Sequence, residues 1–281
     1  MKVVLAKHAG FCFGVKRATQ MAFEAAGKGD KPFTLGPIIH SPQVVSKLEE
    51  LGVRVVKSLE GVKNGTVIIR SHGVMAREIQ EAHRKKLVIV DATCPFVKKA
   101  QEYVKHLSEE GYDVLVVGDA DHPEVLGIVS YAVHERVHVV TTGDDVRKLP
   151  RLGKIGVVAQ TTQPFESLMS VVSECLLRGG ELRVYNTICD ATSVRQQEAT
   201  ELAHEADCMI VIGGFNSANT RRLAAICRDI QPRTYHIETP DEIQMDWLQG
   251  VKIVGVTAGA STPKWIIDAV LEHLEAINNS R

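Results

Sequence analysis

Three cysteines, Cys12, Cys94 and Cys189, divide the 281-residue chain into near-equal thirds, at intervals of 82 and 95 residues with 92 residues after the last. Cys12 opens the run Cys-Phe-Gly-Val-Lys-Arg-Ala, and Cys94 opens Cys-Pro-Phe-Val-Lys-Lys-Ala. Cys189 opens a looser version, two residues longer, Cys-Asp-Ala-Thr-Ser-Val-Arg. Each run enters a helical pattern. A thiol there meets unpaired N–H groups and the helix dipole, which favour the thiolate, the form that binds metal. Zinc is one candidate, but structural zinc takes four ligands, often in Cys-x-x-Cys pairs, and the chain has no such pair. Three thiolates fit better on three irons of a cubane iron–sulfur cluster, leaving one iron open as a Lewis acid. Cys175, Cys208 and Cys227 fall in helical or strand patterns and read as small buried hydrophobes.

Counting 28 residues on from each cysteine reaches His40, His122 and Ser217. A further polar group follows in each third, within Ser71-His72-Gly73, Gln160-Thr161-Thr162 and Gly259-Ala260-Ser261-Thr262. These positions end strand-like runs, and open α/β sheets bind ligands outside the carboxyl ends of their strands. A lone loop histidine is commonly a hydrogen-bonded surface group. Three of them, His40, His72 and His122, together with Ser217, Asn219 and Ser261, form a set of donors suited to phosphate or diphosphate when the histidines are protonated. No Gly-x-x-x-x-Gly-Lys-Ser/Thr loop or Gly-x-Gly-x-x-Gly fingerprint suggests ATP or NAD. Glu124, in His122-Pro123-Glu124-Val125, is either a dipole partner at a helix start or, if it faces a cavity, a carboxyl kept protonated by burial and fit to deliver a proton. The Thr161 hydroxyl can orient a substrate or pass a proton.

Positioning these groups requires strands and helices in alternation. Strand-like runs occur at 2–6, 66–70, 87–90, 113–117, 155–159, 209–212 and 251–256, and helical patterns at 15–26, 42–51, 96–109, 165–177, 193–205 and 263–277. That order predicts mainly parallel sheets with right-handed crossovers. With the repeat, it predicts an α/β fold of three similar domains in a pseudo-threefold trefoil around a central cluster and substrate cavity. The repeats are placed at 13–95, 96–190 and 191–281, with 1–12 as a leading strand joining the third. A content of 44% hydrophobic but only 5% aromatic residues suits buried parallel strands. A net charge of −1 with no basic stripe argues against a nucleic-acid partner. The first apolar run is too short for a signal peptide and no run approaches a membrane span, so a cytoplasmic protein without membrane contact is expected.

In combination, Gly10-Phe11-Cys12-Phe13-Gly14-Val15, Ser71-His72-Gly73-Val74, Asp91-Ala92-Thr93-Cys94-Pro95, His122-Pro123-Glu124-Val125, Gln160-Thr161-Thr162 and Val256-Thr257-Ala258-Gly259-Ala260-Ser261 resemble the 4-hydroxy-3-methylbut-2-enyl diphosphate reductases, the LytB/IspH family. The resemblance covers essentially the whole chain. It implies one 4Fe–4S cluster on Cys12, Cys94 and Cys189 with one open iron. It also implies diphosphate contacts from His40, His72, His122, Ser217, Asn219 and Ser261. Glu124 matches the proton donor and Thr161 the substrate-contacting threonine, with His122 beside them in the catalytic set. The family commonly has two serines before the site asparagine; here Ala218 replaces the second, in Asn216-Ser217-Ala218-Asn219, so a backbone N–H stands where a hydroxyl would be. The implied reaction removes the allylic hydroxyl reductively, giving isopentenyl and dimethylallyl diphosphate in the non-mevalonate isoprenoid pathway, with electrons from a ferredoxin or flavodoxin. Two rival readings are a cluster-dependent dehydratase, which needs no net electrons, and a non-catalytic iron–sulfur redox sensor. The sensor would need a DNA-binding element or partner surface, and no basic recognition helix is present.

Overall fold

Short runs rich in Val, Ile and Leu pair in parallel, and helices carry the chain back between them. The computed structural model describes residues 1–28 and 32–279. The chain opens with β1 (Lys2–Leu5) and α1 (Phe13–Ala26). A first set follows as β2 (Phe33–Leu35), α2 (Pro42–Glu50), β3 (Arg54–Val56), β4 (Thr66–Ile69), α3 (Ala76–Arg84) and β5 (Val88–Asp91). After α4 (Pro95–Glu109) come β6 (Asp113–Val117), α5 (Pro123–Val129), β7 (Val137–Val140), α6 (Gly143–Lys148), β8 (Lys154–Ala159), α7 (Phe165–Arg178) and β9 (Glu181–Val184). After α8 (Asp190–Glu205) come β10 (Cys208–Ile212), α9 (Ala218–Ile230), β11 (Thr234–Ile237), β12 (Ile253–Ala258) and α10 (Lys264–Asn279).

The strand orders are β3-β2-β4-β5, β7-β6-β8-β9 and β11-β10-β12-β1, parallel throughout. One topology is used three times. In the third sheet the place of β5 and β9 is taken by β1, from the start of the chain, with Lys2 opposite Ile253 and Leu5 opposite Val256. Every residue of β10 is buried, as a strand covered on both faces requires. On one face of that sheet Ile210, Ile212, Val254 and Val256 pack with Ile267, Val270 and Leu274; on the other Met209 and Val211 pack with Leu202, Leu223 and Ala224. Met1–Lys16, Ile39–Lys47 and Asp190–Arg281 form one compact unit, which holds this sheet. Arg17–Ile38 and Leu48–Cys189 form another, which holds the β2 and β6 sheets. Among the described residues no helix is long and apolar enough to cross a membrane.

Three differences from the sequence expectation bear on the positions of the candidate residues. The helix expected at 193–205 begins at Asp190, directly after Cys189. Its first turn, Asp190-Ala191-Thr192, has an acid that suits the dipole but no apolar stripe to announce it. The strand expected at 251–256 lies at Ile253–Ala258, because pairing with β1 and β10 sets its register and Val251 turns back onto the Leu248 carbonyl. The apolar run Ile38-Ile39 before His40 is buried loop rather than strand: β2 ends at Leu35, and Gly36 turns the chain at φ +73°.

Candidate active site

The repeated topology fixes where the polar groups fall. His40, His122 and Ser217 each lie five residues past the end of their strand, at Leu35, Val117 and Ile212. The loops after β4, β8 and β12 carry Ser71-His72, Gln160-Thr161 and Ala260-Ser261. Here the backbone makes one bond three times. Cys94 N–H donates to the Ser71 carbonyl (2.9 Å), Cys189 N–H to Thr161 (3.0 Å) and Cys12 N–H to Ala260 (3.2 Å). Each cysteine thus hangs from the loop that presents site residues, and each stands directly before a helix. Pro95 follows Cys94 at the first helical position, where no N–H is needed. The Cys12 sulfur accepts the Val15 N–H at 3.5 Å. These three thiols are half-buried. Cys175, Cys208 and Cys227 are fully buried, and burial pushes their thiols up to about 11, about 11 and about 12.

In the first unit Ser217 caps α9, its hydroxyl accepting the Thr220 N–H at 3.3 Å. Ser261 Oγ donates to the His40 carbonyl at 3.2 Å and lies 3.4 Å from Ser217 Oγ. Only a glycine fits beside them at Gly214, where a Cβ would stand 2.6 Å from the His40 carbonyl oxygen. Ala218 and Asn219 take the first two positions of α9, whose N–H groups lack intrahelical partners. Asn219 is 5% exposed, yet among the described residues neither its Nδ2 nor its Oδ1 meets a hydrogen-bond partner. A buried amide left unpaired costs about 1–3 kcal/mol, a cost that an anionic ligand at the helix terminus would relieve in part, by accepting from Nδ2. Asn219→Leu is therefore expected to raise the melting temperature of the ligand-free protein while weakening inorganic diphosphate binding roughly tenfold or more, read by thermal melting and titration calorimetry.

In the second unit the His72 and His122 rings meet edge to face, with centroids 5.7 Å apart and planes at 75°. His122 Nδ1 accepts the Glu124 N–H at 3.1 Å. A neutral ring that accepts through Nδ1 carries its proton on Nε2, where it can donate. Glu124 is 2% exposed, and its Oε1 accepts the Thr161 N–H at 2.7 Å. Burial pushes this carboxyl above the usual range, and the bonds from the Thr161 N–H and hydroxyl offset only part of that. Thr161 is a joint: its N–H holds Glu124 and its carbonyl holds Cys189 N–H. Sequence reasoning names Gln160 in its run but gives it no role; it is fully buried, and its Oε1 accepts the Asp119 N–H (3.0 Å) in the turn before His122. Its place beside Thr161 is the only signal it carries.

The chain matches the family model described as LytB protein over residues 3–275. The chain belongs to the LytB family. It is similar to the 4-hydroxy-3-methylbut-2-enyl diphosphate reductase of Trichlorobacter lovleyi, 76% identical over 280 residues that cover 100% of both chains. The enzyme of that name from Geobacter sulfurreducens is 68% identical over 281 residues, covering 100% of this chain and 99% of its own. Among solved structures, a (E)-4-hydroxy-3-methyl-but-2-enyl diphosphate reductase described as the terminal enzyme of the non-mevalonate pathway is 48% identical with a TM-score of 0.72, covering 98% of this chain and 100% of that one. The E-1-hydroxy-2-methyl-but-2-enyl-4-diphosphate reductase from Plasmodium falciparum has a TM-score of 0.89 at 28% identity, covering 98% and 87%.

LytB membership implies an iron–sulfur cofactor. Cys12, Cys94 and Cys189 each have the donor chemistry such a cofactor takes: a thiol outside any disulfide, with its N–H tied down, at a helix start. Within either unit the described residues gather no three His, Cys, Asp or Glu side chains to hold a single metal ion.

Proposed function

We propose that this chain reduces 4-hydroxy-3-methylbut-2-enyl diphosphate to isopentenyl and dimethylallyl diphosphate in the cytoplasm, using one 4Fe–4S cluster on Cys12, Cys94 and Cys189 with one iron open. The observation that carries this reading is the buried Glu124 carboxyl on Thr161, the residue whose carbonyl also receives Cys189 N–H. The proton source and a cluster-ligand loop share one residue. When bound, the cluster supplies electrons singly and an open iron that acts as a Lewis acid toward the allylic oxygen. Replacing C–O by C–H consumes two electrons and two protons and releases one water. His40, His72, His122, Ser217 and Ser261, with Asn219 and the backbone N–H of Ala218, hold the diphosphate. Glu124 holds the proton that departs with the hydroxyl as water, and Thr161 orients that carboxyl and contacts the substrate. A ferredoxin or flavodoxin delivers the electrons. Repeat bounds of 13–95, 96–190 and 191–281, with 1–12 joining the third, are supported by the recurrence of one sheet topology.

Anaerobic turnover with a viologen reductant tests the reaction class. Two electrons consumed per isoprenyl diphosphate formed is the expected result. Loss of the hydroxyl without reductant consumption would make the protein a dehydratase. A reducible cluster without any turnover would favour the sensor.

A further inference from the structure

We propose that Arg17 and Arg195 are positioning residues for the cluster-binding cysteines. Each clamps the backbone of a loop that presents one thiolate and sets a fixed positive charge beside it. This inference rests on the cluster assignment above. The run shared by Cys12 and Cys94 keeps a basic residue five positions on, Arg17 and Lys99; in the longer run after Cys189, Arg195 stands six positions on. Arg17 donates from Nη1 to the Thr93 carbonyl (3.2 Å) and from Nη2 to the Asp91 carbonyl (3.4 Å). Thr93 is the residue before Cys94. Arg195 donates from Nη1 to the Ala191 carbonyl (2.6 Å) and from Nη2 to the Gly10 carbonyl (2.8 Å). Gly10 is two residues before Cys12.

Arg195 is 5% exposed. Taking a guanidinium out of water is expensive, and carbonyl oxygens compensate it through charge-assisted bonds. The Gly10 peptide is held from the other side as well, by its own N–H on the Ala258 carbonyl at 3.4 Å. Gly10 lies at φ +95°, a backbone conformation that favours glycine, and a Cβ there would stand 2.9 Å from Ile267 Cδ1. The third basic position behaves differently. Lys99 is exposed, with its ammonium 5.6 Å above the Tyr103 ring. The chain before Cys189 is also held by a neutral group, Thr187 Oγ1, which accepts the Ala159 N–H (2.8 Å) and donates to the Ala159 carbonyl (2.5 Å). Arg17 therefore clamps the loop before Cys94, and Arg195 ties the loop before Cys12 to the helical turn that follows Cys189. A fixed cation favours a thiolate, and it favours the reduced, more negative state of a cluster.

Arg17→Met and Arg195→Met, their Lys counterparts and Lys99→Met would be reconstituted anaerobically as full-length proteins. Iron loss to a chelator and the cluster reduction potential, followed by EPR, are the readouts. Both Met variants are expected to lose iron roughly tenfold to a hundredfold faster, the range for groups that orient metal ligands, and to reduce at lower potential. The Lys variants keep the charge but lose the fork, so they should hold the potential and still lose iron faster. Lys99→Met should match the wild type in both. Met variants with wild-type potential at full iron occupancy would overturn the proposal, even with a lowered melting temperature, because a purely structural arginine leaves the potential alone. A wild-type chain that takes up no cluster would overturn this inference and the proposed function together.

Discussion

Glu124→Gln is expected to lower turnover by about two to four orders of magnitude, the span of general acid catalysis, while leaving iron content and diphosphate affinity unchanged. Glutamine has the same shape, and its carbonyl oxygen can still accept the Thr161 N–H that Glu124 Oε1 accepts at 2.7 Å. It has no acidic proton to give. The pH profile sharpens the test. Burial raises the Glu124 carboxyl above its ordinary value, so the wild-type rate should hold on the acid side and fall as pH rises through that raised value. The residual rate of the Gln variant should lack this limb. Stability follows the same sign. A carboxyl whose folded pKa exceeds its unfolded one contributes stability that is fully present below the unfolded value and is lost as pH rises through the folded value. Glu124→Gln should therefore gain stability relative to the wild type on going from acid to neutral pH. A Gln variant with the wild-type rate would remove Glu124 from the reaction.

Serine at Cys12, Cys94 or Cys189 is expected to abolish turnover and most iron binding, each substitution alone being sufficient. On the proposed cluster each thiolate would serve its own iron, so the other two could not stand in for it. Cys227→Ser makes the contrast. Cys227 is fully buried, its thiol is pushed up to about 12, and its sulfur lies 3.9 Å from the Ala199 carbonyl. A hydroxyl there without good partners should cost about 1–3 kcal/mol of stability and leave iron content at the wild-type level. Iron and sulfide analysis with thermal melting on the four variants separates the two roles. Full iron in any of the first three, or its loss in Cys227→Ser, would break the division between ligand and core cysteines.

The threefold repeat was legible because its signals are local: a cysteine before a helix, and a polar group a fixed distance past a buried strand. The strands with continuous apolar runs, such as Asp113–Val117 and Cys208–Ile212, declare themselves for the same reason. β3 (Arg54–Val56) has three residues, two of them exposed, and takes its conformation from pairing with β2, so no pattern in its own residues reveals it. The start of α8 was hidden because its first turn carries no apolar stripe. At the candidate site the residue types could be read, and so could the effect of burial on Glu124 once it faced inward. The bonds between the groups could not. Glu124 and Thr161 lie 37 residues apart, and Arg17 and Thr93 lie 76 apart, so only the folded backbone joins them. The His122 Nδ1 contact is with an N–H two residues on, and the close contacts at Gly10 and Gly214 are with Ile267 and the His40 carbonyl, from distant parts of the chain.

Iron and acid-labile sulfide on anaerobically purified protein, with EPR spectra taken before and after adding 4-hydroxy-3-methylbut-2-enyl diphosphate, test the central claim most directly. About four irons and four sulfides per chain, as a cubane cluster requires, together with a spectrum that changes on adding the diphosphate, are the expected result. Zinc in place of iron, or no metal after anaerobic reconstitution, would contradict it.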